Sequence, residues 1–147
     1  MQQSPPVVVY ADVVCDLFHA GHVRFFELAR ALGDRLIVGM MADDDVATYK
    51  PRPVLTLAER ATVVAACRLV DRVIAPAPLH CTARFLDEIG AAFCVHGDDM
   101  RDDELMYFYR DLIEHGRLRK VPYTQGISSR AIVARIAGRL AAGTLRT

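Results

Sequence analysis

Short apolar runs alternate with segments of helical period along the whole chain, and this alternation limits the fold more than any other feature. "VVVYADVV", "RLIVGMMA", "DRVIAPA", "AAFCVHG" and "RLRKVPYT" are too brief for buried helices and rich enough in β-branched residues to be strands. Between them, "HVRFFELARALG" sets Phe25, Leu28, Ala29 and Leu32 on one helical face, with Gly33 past its end. "TLAERATVVAACRLV" opens with Thr56 and Glu59 at capping-box spacing. "TARFLDEIG", "DELMYFYRDLIEHG" and "SSRAIVARIAGRLAAG" supply the remaining helices. Strands that are apolar throughout must be covered on both faces, which calls for a parallel sheet between helices. The expected class is therefore α/β, a Rossmann-like doubly wound five-stranded parallel sheet with helices on both faces. A chain of 147 residues accommodates one such domain, over 7–147, behind a short tail, 1–6.

Charge narrows the choice of partners. Lys+Arg and Asp+Glu are 18 each, so the formal net charge is zero. That excludes the broad basic footprint by which proteins hold nucleic acid or anionic membranes. An anion must instead meet a local cluster, and only Lys50 and Lys120 among the basic residues are lysines. Cys15, Cys67, Cys81 and Cys94 lack the paired spacing of a zinc site or disulfide framework and read as reduced thiols. "PPVVVYADVV" is short and broken by Asp12, so it is neither signal peptide nor membrane span, and a cytoplasmic protein is expected.

In doubly wound sheets, ligands bind outside the carboxyl ends of the strands. Three polar loops fall there: "CDLFHAGH" after the first strand, "HGDD" after the fourth and "TQGISS" after the fifth. His19 and His22 stand one helical turn apart at a helix start, where unpaired N–H groups and the dipole favour phosphate. Gly21 between them permits close approach. No lysine follows in a glycine-rich loop, so this is not a P-loop. Gly126 allows a turn before Ser128 and Ser129, which offer hydroxyls at a second helix start. Asp16, Lys50, Arg60 and Arg130 are the charges that could complete a polyphosphate site.

"CDLFHAGH", "KPRPVLTLAER", "CRLVDRV", "FCVHGDD" and "TQGISS" together resemble, in order and spacing, the cytidylyltransferase family of glycerol-3-phosphate, phosphocholine and phosphoethanolamine enzymes. The resemblance runs from about Val8 to Arg135 and looks closest to the phosphoethanolamine branch, whose members carry two such domains. It implies that His19, His22 and Lys50 are catalytic. It also implies nucleotide contacts from Val14, Cys15, Asp16, Gly21, His96, Gly97, Asp98, Tyr123, Thr124, Gln125, Gly126, Ile127, Ser128 and Ser129. Lys50, Arg60 and Arg130 are the candidates for acceptor or phosphate contact, and Arg68 and Asp71 match the segment at the family's dimer interface.

The partners so implied are CTP and a small anionic phosphate or phosphonate in a homodimer, without nucleic acid or membrane. Mg²⁺ is the implied cofactor, held by the CTP phosphates and not by protein ligands. The implied reaction is transfer of CMP to the acceptor with loss of pyrophosphate. A nucleotide sensor without turnover and an adenylyl-transferring relative are the alternatives. Three positions depart from the family pattern: Val13 stands for glycine, Tyr123 for arginine, and Thr48 for a second lysine. They are compatible with an altered acceptor, with compensation by Arg130, or with weak activity.

Overall fold

The computed structural model describes residues 4–146. Its five strands are β1 (Val8–Val13), β2 (Arg35–Met41), β3 (Arg72–Ala77), β4 (Phe93–Gly97) and β5 (Leu118–Val121). All pair in parallel, in the order β3-β2-β1-β4-β5. The chain winds outward from β1 to β3 and then returns to lay β4 on the other side of β1. The strand order therefore reverses at the β1–β4 seam, and a crevice opens at its carboxyl end.

Side chains of β1 alternate between two cores, as a strand period of two requires. Val9 and Ala11 join Phe26, Ala29, Leu36, Val38, Val64 and Val95 on one face. The helices there are α1 (Ala20–Arg30) and α3 (Leu57–Ala65). Tyr10 faces the other way, with Leu86, Cys94, Leu105 and Leu112, under α4 (Ala83–Ile89) and α5 (Asp102–Glu114). Both faces are covered, as the largely apolar central strands imply.

Local signals set the helix ends. Thr56 Oγ1 accepts from the Glu59 N–H at 3.3 Å, and the Glu59 carboxylate accepts from the Thr56 N–H at 2.8 Å. These bonds close the capping box. On α1 the buried centre is Phe26 and Ala29, whereas Leu32 lies past the helix and is 44% exposed. The last strand stops at Val121, before the polar residues expected to extend it. A short α2 (Asp43–Ala47), absent from the sequence reading, follows β2. The closing helix α6 (Ser129–Ala141) buries none of its residues and leaves Val133, Ile136 and Leu140 exposed. Residues 1–3 of the expected tail, and residue 147 of the expected domain, lie outside the described residues. Among the described residues, no helix is long and apolar enough to cross a membrane.

Candidate active site

At the mouth of α1 the two histidines cap the helix themselves. His19 is the N-cap, and its Nδ1 accepts from the Gly21 N–H at 3.0 Å. His22 Nδ1 accepts from the His19 N–H at 3.1 Å. An imidazole nitrogen that accepts carries no proton, so both neutral rings hold theirs on Nε2. The rings stack with centroids 3.8 Å apart, and Phe18 lies against His22 at 5.7 Å. A Cβ on residue 21 would stand 2.8 Å from His19 Cε1, so glycine is what lets the ring fold back onto the backbone.

Burial lowers the pKa of His19. Burial, with help from His19 and Lys50, takes that of His22 down to about 4. At neutral pH the pair is thus uncharged and presents two Nε2–H donors. The sign of the linkage follows: folding holds His22 neutral, while the unfolded chain protonates near pH ~6.5. Stability is full above that value and falls as pH drops from ~6.5 through about 4. Thermal unfolding measured from pH 7 to 4 should show this slope, and His22→Gln should flatten part of it. An unchanged slope in the variant would place the acid sensitivity elsewhere.

The three strand-end loops meet here. Ile127 packs within 3.3 Å of the position a Cβ on Gly21 would occupy, which sets "TQGISS" against α1. The turn passes through Gly126 at φ +90, with Thr124 and Gln125 before it. Ser128 Oγ caps α6 by accepting from the Ala131 N–H at 3.0 Å, and Ser129 Oγ donates to the Asp16 carbonyl at 2.5 Å. The Asp98 carboxylate accepts from the Tyr123 N–H at 2.8 Å and joins the fourth loop to the fifth. His96 Nδ1 lies 2.9 Å from the Gly97 carbonyl, which can only accept, so this ring holds its proton on Nδ1. Lys50 is close enough for its charge to act on His22 and Cys15. Its own pKa is lowered by desolvation, against the pull of Asp99, Cys15 and Asp16. Arg130 is exposed at the start of α6.

Several of the expected site residues have hydrogen-bond partners within the fold. Arg60, expected as a phosphate or acceptor contact, is fully buried and faces inward. Its guanidinium donates to the Val14 carbonyl (2.6 Å), the Met41 carbonyl (2.8 Å), the Leu55 carbonyl (3.2 Å) and Asp43 (2.6 Å). With its donors spent inside the fold, it ties the ends of β1 and β2 together. The Asp16 carboxylate likewise has partners within the fold, accepting from the N–H groups of Val54 (2.8 Å) and Leu55 (3.0 Å). Asp71 accepts from the Leu36 N–H at 2.7 Å, a bond within the chain, while Arg68 stays exposed beside edge strand β3. Val13 packs against the core, and Tyr123 is 41% exposed.

Three residues that the sequence reading did not single out, Asp12, Tyr109 and Tyr49, lie close to these groups. Asp12 is buried at the carboxyl end of β1 and accepts from Tyr109 Oη at 2.6 Å. The Tyr109 ring lies 5.4 Å from His96. Burial pushes the Asp12 carboxyl up, while His96 and the Tyr109 hydroxyl hold it down. Tyr49, beside Lys50, packs edge-on to Phe108 at 5.0 Å and feels the Asp12 charge. An acid inside an otherwise apolar strand was the available signal.

A five-stranded parallel sheet covered by helices, with two imidazoles and two helix starts gathered at its switch point, defines a Rossmann-like domain. Residues 14–135 match the cytidylyltransferase-like family, and the chain belongs to that family. It is 38% identical over 136 residues to ethanolamine-phosphate cytidylyltransferase of Mus musculus, covering 88% of this chain and 32% of that one. With the enzyme of the same name in Dictyostelium discoideum it shares 36% over 132 residues, 89% of this chain and 37% of the other. It is also 36% identical over 137 residues to choline-phosphate cytidylyltransferase A of Rattus norvegicus, covering 89% and 36%. The chain thus spans about a third of the length of these curated relatives. Among solved structures, the lipopolysaccharide core biosynthesis protein of Thermoplasma volcanium GSS1 superposes with a TM-score of 0.69 at 20% identity, covering 82% of this chain and 100% of that one. That likeness is one of fold.

Proposed function

We propose that this domain transfers CMP from CTP to a small phosphate ester or phosphonate carrying an amine, with release of pyrophosphate. The reading is carried by the paired Nε2–H donors at the α1 mouth, set beside the capped start of α6 and within electrostatic reach of Lys50. The names of the curated relatives support cytidylyl transfer to a phosphate-bearing acceptor.

An acceptor phosphate oxygen is already anionic, so its attack on the α-phosphorus needs no general base. A new P–O bond forms in line, and the bond to the bridging oxygen breaks with its electron pair leaving on pyrophosphate. The work of the protein is then positioning and charge stabilisation. His19 and His22 donate to α-phosphoryl oxygens, where charge rises in the transition state. Lys50 bridges the α-phosphate and the incoming phosphate. Arg130, exposed at the start of α6, offers a cation where Tyr123 supplies none.

A Mg²⁺ ion, held by the CTP phosphates, would supply charge neutralisation for the leaving group. The Asp16 carboxylate is committed to two backbone amides. At the acceptor end, buried Asp12 with Tyr109, His96 and Tyr49 around it is a counter-charge for an ammonium group. Free thiols at all four cysteines accord with a reducing, cytoplasmic setting. The face beside β3 that carries Arg68 is the proposed homodimer surface. Sedimentation at micromolar protein tests it, and a fully active monomer would count against it.

The decisive experiment offers CTP or ATP with phosphoethanolamine, 2-aminoethylphosphonate and glycerol 3-phosphate, read by pyrophosphate release. Turnover with CTP and the two amines, above glycerol 3-phosphate, is expected. Equal or better turnover with ATP would move the chain to adenylyl transfer. Tight CTP binding without pyrophosphate from any acceptor would make it a sensor.

A further inference from the structure

We infer that Asp16 is a positioning residue that locks the Lys50-bearing segment to the phosphate cradle, and that it touches neither nucleotide nor acceptor. The inference rests on the reaction proposed above and concerns how its lysine is held.

Both carboxylate oxygens of Asp16 are engaged, one with the Val54 N–H and the other with the Leu55 N–H. The backbone carbonyl of the same residue accepts from Ser129 Oγ at the start of α6. One residue therefore joins the second helix start of the cradle to the segment that carries Lys50. Its neighbours on both sides are held at positive φ, Cys15 at 52° and Leu17 at 51°. Neither is glycine, and such conformations persist only where the surroundings over-determine them. That backbone path turns the Asp16 carbonyl to one partner and its carboxylate to the other.

The segment itself can transmit the grip. Its near end is fixed by the Lys50 N–H donating to the Val46 carbonyl at 3.1 Å. Between Lys50 and Val54 lie Pro51 and Pro53, whose rings restrict φ and stiffen the span. Holding residues 54 and 55 thus holds Lys50. Charge points the same way. A carboxylate turned toward a polyphosphate would repel it, whereas amide dipoles from Val54 and Leu55 neutralise it in place. The Asp16 charge also helps keep Lys50 protonated.

Asp16→Asn tests this with little change in volume, because the amide group places its own donor against one of the two N–H groups. Three readouts apply. Hydrogen exchange at the Val54 and Leu55 amides should lose protection in the variant without any substrate present. kcat should fall about 10- to 100-fold, the scale of a misplaced catalytic group, with the KM for CTP within about threefold. In an Asp16→Asn/Lys50→Ala double variant, kcat should equal that of Lys50→Ala alone, because Asp16 acts through the lysine.

Unchanged exchange at 54 and 55, a rise confined to the KM for CTP, or multiplicative losses in the double variant would each overturn the inference and make Asp16 a nucleotide contact or an independent group. If Asp16→Asn does not fold, Val54→Pro removes one of the two donors from the loop side and should lower kcat in the same manner. If the wild-type protein turns over no acceptor, the proposed reaction fails while the exchange measurement still reads the lock.

Discussion

His22→Ala lowers kcat by about 10²–10³-fold while the affinity for CTP changes far less. In the proposed reaction the variant removes an Nε2–H donor to an α-phosphoryl oxygen that gains charge as the phosphorus becomes pentacoordinate, so ground-state binding should lose little. The donor is neutral before reaction, because burial and the neighbouring His19 and Lys50 hold the pKa of His22 down at about 4. A phosphoryl oxygen therefore meets a hydrogen bond whose proton position is already set by the backbone N–H on Nδ1. His19→Ala should show a similar kcat loss with an added stability cost of about 1 kcal/mol, since His19 is also the cap for the Gly21 N–H. Single-turnover rates and calorimetric CTP titration separate the two contributions. A variant at either histidine with near wild-type kcat would reduce the pair to structural caps.

Arg60→Met destabilises the fold by about 3–5 kcal/mol, although it removes no residue of the cradle. The guanidinium is fully buried, and its loss strands three backbone carbonyls and removes the ion-pair partner of the Asp43 carboxylate. Asp43 is held below the usual carboxylate range chiefly by its bond to Arg60, so the variant should also raise the pKa of that acid. For a chain of 147 residues the expected fall in Tm is roughly 10 °C or more. Arg60→Lys keeps a charge but not the planar fork and should recover only part of the loss. Denaturant unfolding at pH 7 is the measurement. A change below about 1 kcal/mol would show that solvent readily replaces the buried contacts.

Short-range chemistry was legible in the residues. The alternation of apolar runs and helical segments required a parallel sheet covered on both faces, because period and strand length depend only on neighbours a few positions apart. Thr56 with Glu59, and Ser128 before α6, announced helix starts for the same reason. So did the histidine pair at the mouth of α1, where spacing alone places two rings on one turn. With the strands parallel, all loops after strands share one end of the sheet, so the meeting of the first, fourth and fifth was already implied.

Which side chain turns toward the ligand and which turns into the protein was decided by tertiary structure. Arg60 finds the Val14 carbonyl 46 positions away, and Asp16 finds Val54 and Leu55 38 and 39 positions on. Tyr109 reaches Asp12 across 97. No periodicity encodes such pairings, because they exist only once the strand order has brought distant loops together. An arginine read from sequence is placed in solvent or on an anion, as most arginines are. Here the carbonyls at the ends of two adjacent strands are withdrawn from water, and a buried guanidinium is what satisfies them.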